Sequence, residues 1–264
     1  MSHGYFRLSG YWRYFQIDPA SGLNDFMPGT SLSDVLDVYD KDAQLRNLLL
    51  EGMAEVEIAL RSILVARMCV PGGPGLEYFD PSSYDGTRFD KYNNNLRNQL
   101  LREMNDNIER SKERHVVHHR KKAGVNGVPM YVAVESFSFG TLSKMYGLLV
   151  DPVVRMSIAQ RFNYPSDGQF SSNIRAVAVL RNACAHHSRL WNRHINQDVA
   201  GVWPGLVQSP LVISNYRKTV WGAIAVLADM VQQVRKDSSF ISDVRALVPS
   251  SGAYWDGLIA PSAK

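Results

Sequence analysis

Cysteine is nearly missing from this chain of 264 residues: only Cys69 and Cys184 occur, each among apolar neighbours. That excludes a disulfide framework and a cysteine-built zinc site, and leaves both thiols as small hydrophobic fillers in a reducing compartment. Long apolar runs are missing as well. No window approaches the roughly 20 uncharged residues that cross a bilayer, and the opening "MSHGYFRLSGYW" lacks the basic-then-apolar order of a secretion signal. A soluble cytoplasmic protein without a membrane partner is expected. Apolar–polar alternation, internal repeats and low-complexity linkers are also nearly absent, which argues against a sheet-built or modular chain. Charge is not one-sided either: 29 basic against 25 acidic residues give a net charge of +4. This excludes a histone-like tail and is compatible with mild affinity for polyanions.

What the chain does have is helical periodicity. From Ser33 to Met68, apolar residues recur at three- and four-residue intervals (Leu45, Leu48, Leu49, Met53, Val56, Leu60, Ile63, Leu64), the mark of one long amphipathic helix or two in succession. "VPGGPG" then stops it. A second helical pattern runs from near Arg88 to Gly124, with a seam at Leu96, Leu100, Met104 and Ile108. Next comes "VPMYVAVESFSFGTLSKMYGLL", with Pro129 at a first-turn position and a break near Gly140; "DPVVRMSIAQRF" follows. The remaining helices are read over Ser171–Trp191, "ISNYRKTVWGAIAVLADMVQQV" and "FISDVRALV". The fold class expected is all-α: a helical bundle over residues 31–264, with an aromatic and basic N-terminal extension over 1–30 packed upon it.

The densest chemistry lies in "RNACAHHSRLWNR", Arg181 to Arg193, which follows the apolar run "IRAVAVL". If residues 171–193 form one helix, Asn182, His186, Arg189 and Arg193 are spaced four, three and four apart and line one face. Ile174, Val177, Leu180, Cys184 and Trp191 then fall mostly on another. Arg181 is one step, about 100°, from Asn182, and its long side chain can swing towards the same anion. Histidine titrates near neutrality and serves as base or acid, while arginine brings a permanently charged fork matched to phosphate oxygens. That inventory suits metal-independent cleavage of RNA. A base takes the 2′-OH proton, an acid protonates the departing 5′-oxygen, and cations stabilise the pentavalent phosphate. The reaction needs two proton-transfer groups, whereas the motif occurs once and His187 lies about 100° round from His186. A homodimer placing two copies of His186 across a two-fold axis satisfies both roles. The same residues also fit a solvated helix end, where Arg and His complement the helix dipole.

"LRNACAHHSRLWNR" resembles the signature of the AbiD/AbiF-type bacterial abortive-infection proteins of the HEPN superfamily of helical ribonucleases. Arg181, Asn182 and His186 match the superfamily's Arg, polar residue and His, with four residues between Arg and His. "GYFRLSGYWRYF", "LRNLLLEGMAEVEIALRS" and "VESFSFGTLSKMY" are similar to three further blocks of that family, in the family's order. Such proteins usually carry a helical segment ahead of the Gly-Tyr-Arg-Leu block, and this sequence begins at that block. The resemblance implies a HEPN-like up-and-down helical bundle dimerised around the Arg/His helix and metal-independent endoribonuclease chemistry leaving 2′,3′-cyclic phosphates. It also implies a toxin of phage defence, restrained or guided by a structured noncoding RNA. No cofactor and no metal are implied. In this reading Arg181, Asn182 and His186 are catalytic, and His187, Arg189 and Arg193 bind the RNA strand.

A second basic segment, "ERSKERHVVHHRKKAG", contributes Arg114, His118, His119, Arg120, Lys121 and Lys122 as an RNA-binding strip, since exposed Lys and Arg neutralise phosphates and release counterions. Its His-x-x-His pair has no Cys or carboxylate cluster to complete a zinc site. Glu57 and Arg61, one turn apart, are read as a helical pair, and Glu135 as a residue that orients the site arginine. Two other functions fit the same residues: an RNA-binding regulatory module that breaks no bond, and a bundle that binds only protein.

Overall fold

The computed structural model describes residues 4–194, Val199, Leu211 and residues 216–261. They are mostly helical: α1 (Tyr5–Trp12), α2 (Leu32–Met68), α3 (Leu96–Arg110), α4 (Arg114–Ala123), α5 (Met130–Ala133), α6 (Phe139–Leu148), α7 (Pro152–Arg161), α8 (Asp167–Ala185), α9 (Val220–Arg235), α10 (Ser239–Leu247) and α11 (Ala253–Ile259). One feature the sequence pattern did not announce is an antiparallel hairpin of β1 (Gln16–Asp18) and β2 (Leu23–Phe26). Its strands are too short, and too exposed, to show alternation. Gly22, at φ +91°, takes the left-handed turn position between them. No helix of the described residues is long and apolar enough to cross a membrane.

The chain divides into two compact units. The first gathers the described residues of 1–53, 179–199 and 206–264, so it holds α1, the hairpin, the N-terminal part of α2, the end of α8 and α9 to α11. Its core forms where α2 buries Val35, Val38, Leu45 and Leu49, and where α9 is buried all round from Val220 to Val231. A helix apolar on every side has nowhere to lie but inside. Thr219 caps it, its side chain accepting from the Gly222 amide at 3.0 Å, and Lys236 ends it at φ +65°. At Gly52 a β-carbon would stand 2.6 Å from the Phe240 ring, so only glycine lets α2 approach this closely.

Asp229 interrupts the apolar surface of α9. It is 3% exposed, its Oδ2 has no hydrogen-bond partner among the described residues, and burial pushes its carboxyl up to about 7. Because the folded value lies above the unfolded one, the neutral acid is tolerated below pH 4. Stability is then lost as pH rises towards 7, by on the order of 4 kcal/mol. Asp229→Asn is expected to melt with the wild type at pH 4 and well above it at pH 8. Parallel melting curves at both pH values would contradict this.

The second unit comprises the described residues of 54–178. The helix expected from Arg88 to Gly124 is two helices. Asp90 organises the turn before α3, accepting from the amides of Tyr92 and Asn94 at 2.9 Å each, and Asn95 caps α3 by accepting from Asn98 N at 3.1 Å. Leu100, Met104 and Ile108 form the buried seam. After Arg110 the chain breaks, because the Arg120 guanidinium of α4 donates to the carbonyls of Ile108 and Glu109 that end α3. Gly140, expected at a break, sits inside α6, whose cap is Ser138 (3.1 Å to Thr141 N). Glu57 and Arg61 pair at 2.6 Å, as their spacing suggests.

Candidate functional site

α8 ends four turns after Ser171, at Ala185, and not at Trp191 or beyond. Its last turn closes as a Schellman motif: His187 N donates to Cys184 O at 2.9 Å, Ser188 N to Ala183 O at 2.8 Å, and His187 adopts φ +52°. A histidine therefore occupies the left-handed position usually given to glycine. The single helical face proposed for Asn182, His186, Arg189 and Arg193 does not exist, because the last two lie beyond this reversal.

Asn182 and His186 remain one turn apart, joined by His186 N donating to Asn182 O at 3.0 Å, and both side chains are exposed. Arg181 is half-buried. It lies roughly 140° round the axis and about 7.5 Å along it from His186. Among the described residues the polar ends of all three make no hydrogen bond or ion pair. The apolar face of this helix is as expected: Ile174, Val177, Leu180 and Cys184 are buried, and burial pushes the Cys184 thiol up to about 12, far from a reactive thiolate.

The segment after the helix is held from below by a carboxylate that sequence reading overlooked. Asp42 of α2 is fully buried. Its oxygens accept from Tyr11 OH (2.6 Å), Tyr254 OH (3.2 Å), Leu190 N (3.1 Å) and Trp191 N (3.0 Å), and it pairs with Arg46 one turn on. Arg46 in turn reaches Ser188 O at 3.4 Å. The signal was present: positions 42 and 46 fall on the stripe of α2 that buries Val38, Leu45 and Leu49, and a charged pair in a buried stripe is rarely idle. Trp191 then seats against Phe15 (5.6 Å between centroids) and donates to Ala253 O at 2.8 Å, while the absent side chain of Gly257 makes room for the indole.

Arg189 is turned inward. Its guanidinium donates to Gly10 O and to Tyr14 OH (2.8 Å) and stacks 4.5 Å from the Tyr14 centroid. It fastens α1 to the loop. Arg193 is half-buried and His187 exposed. In the other unit, Arg114, His118, Lys121 and Lys122 of α4 are exposed and His119 is half-exposed beside His118, while Arg120 caps α3 as described. Glu135 is placed 3.4 Å from Arg61, its ion-pair partner. Among the described residues no group of three or more His, Cys, Asp or Glu side chains is placed to hold a metal.

These features define a mostly helical protein with an exposed Asn and His and a half-buried Arg at a tethered helix end. A family model described as Abi-like protein matches residues 1–192, and the chain belongs to that family. It is a family of abortive infection, which points to defence against phage. No curated protein and no solved structure matches the chain.

Proposed function

We infer that this Abi-like protein is a metal-independent endoribonuclease of the HEPN type, acting as a toxin in phage defence. The observation that carries the reading is the contrast in the segment from Arg181 to Arg193. Arg189 is committed to holding α1, whereas among the described residues the polar ends of half-buried Arg181 and exposed Asn182 and His186 have no partner and are available to a phosphate. His186 moves the proton, Arg181 binds the scissile phosphate and Asn182 orients the group between them. The ribose 2′-oxygen attacks phosphorus and yields its proton to the base, the bond to the 5′-oxygen breaks, and the acid protonates that oxygen. The products are a 2′,3′-cyclic phosphate and a 5′-hydroxyl. Base and acid are the His186 side chains of two copies in a homodimer. A structured noncoding RNA that restrains or guides the enzyme would lie along the exposed cations of α4, Arg114, Lys121 and Lys122.

Purified protein is expected to cut RNA in EDTA and to leave cyclic phosphate ends. A strict need for Mg²⁺, or RNA binding with no cleavage, would replace this reading with a metal-dependent enzyme or a non-cleaving RNA-binding module.

A further inference from the structure

α1 separates two concave surfaces, both in the first unit and both free of carboxylates. On one side lies a pocket of about 510 Å³ to which Arg7, His187, Arg193 and His194 contribute. Arg7 reaches across to it, its Nη2 donating to His187 O at 2.5 Å, which leaves further N–H groups for a ligand. Among the described residues neither Arg7 nor Arg193 has an acidic partner. On the other side is a groove of about 680 Å³ lined by Tyr5, Phe6, Trp12 and Phe26, with Arg13 and Asn24 among its polar groups. Its aromatic rings are not core: Phe6 is 90% exposed and Tyr5 68%. Tyr5 meets Trp12 edge to face at 5.0 Å, so the rings support one another without being covered. Gly10 lines both surfaces, and with no side chain it leaves the crest between them low.

We propose that α1 carries a nucleotide-binding subsite: a backbone phosphate of the RNA enters the pocket of Arg7, Arg193 and His194, and the adjoining base stacks on Tyr5 and Phe6. This rests on the RNA reading above for the identity of the ligand. The chemistry is that of strand binding in general, in which guanidinium groups hold the backbone and aromatic faces take any base. The cationic pocket beside the groove favours a nucleic acid over a second copy of this chain, whose apolar surface would gain nothing from the uncompensated arginines.

The test is titration of the full chain with a labelled single strand of 2′-O-methyl RNA, which the proposed chemistry cannot cut, over a range of salt. Arg7→Gln is expected to weaken binding and to lower the slope of log K against log salt by about 0.7, the value for one phosphate contact on a single strand. Arg7→Lys should restore the slope. Phe6→Ala should weaken binding by about five-fold or more with the slope unchanged, and light scattering should show the same oligomeric state as the wild type. Unaltered affinity and slope in Arg7→Gln and Phe6→Ala would overturn the proposal. So would a change of oligomeric state in Phe6→Ala, which would mark the groove as an interface between copies. Because the ligand cannot be cleaved, the subsite can fail while RNA cleavage stands, and can stand while cleavage fails.

Discussion

Replacing His186 by alanine is expected to lower single-turnover cleavage of RNA by about 10²–10⁴-fold, the usual contribution of a positioned proton-transfer group. Folding should be untouched. The side chain is exposed, it follows the last residue of α8, and its backbone amide keeps the bond to Asn182 O whatever the side chain. Substitutions of that kind change stability by roughly ±0.5 kcal/mol, so melting temperature and activity should separate cleanly. A mutant that cuts RNA as fast as the wild type would remove His186 from the mechanism. One that loses activity and stability together would assign it a structural role.

Replacing Asp42 by alanine is expected to destabilise the first unit by about 3–5 kcal/mol, the cost of leaving one member of a buried ion pair uncompensated. Arg46, 3% exposed, would keep its charge without an acidic partner, and the amides of Leu190 and Trp191 would lose their acceptor. The double variant in which Arg46 is also replaced by leucine should recover part of that loss, since the unpaired charge goes with it. Denaturant titration reads both. A single mutant within 1 kcal/mol of the wild type would show that the network is replaceable by water. Because Asp42 fixes the segment directly after the Arg181–His186 turn, any cleavage activity should fall with it even below the melting temperature.

Much of this was legible beforehand. The long α2, the seam of α3, the Asp151-Pro152 start of α7 and the largely apolar α9 all announce themselves through spacing and caps, which are local properties. The polar cluster at the end of α8 was legible for the same reason, as three chemically apt residues within six positions. Its geometry was not. "HHSRLWNR" contains no glycine or proline to stop a helix, and what stops it is distant. Asp42, 148 residues away in the chain from Leu190, captures the amides of Leu190 and Trp191, and Arg189 turns back to α1. The two exposed faces of α1 were hidden too, since aromatic residues at helical spacing look alike whether they are covered or bare.

Composition and periodicity alone therefore determined a mostly helical chain with two unpaired cysteines and, among the described residues, no helix long and apolar enough to cross a membrane, and located its concentration of Arg, Asn and His. Which of those cations hold the protein together and which face solvent was decided only by tertiary structure. A guanidinium is drawn to the strongest uncompensated acceptors within its reach, and those acceptors, a buried carboxylate, a helix end or a neighbouring carbonyl, come within reach only when remote segments pack.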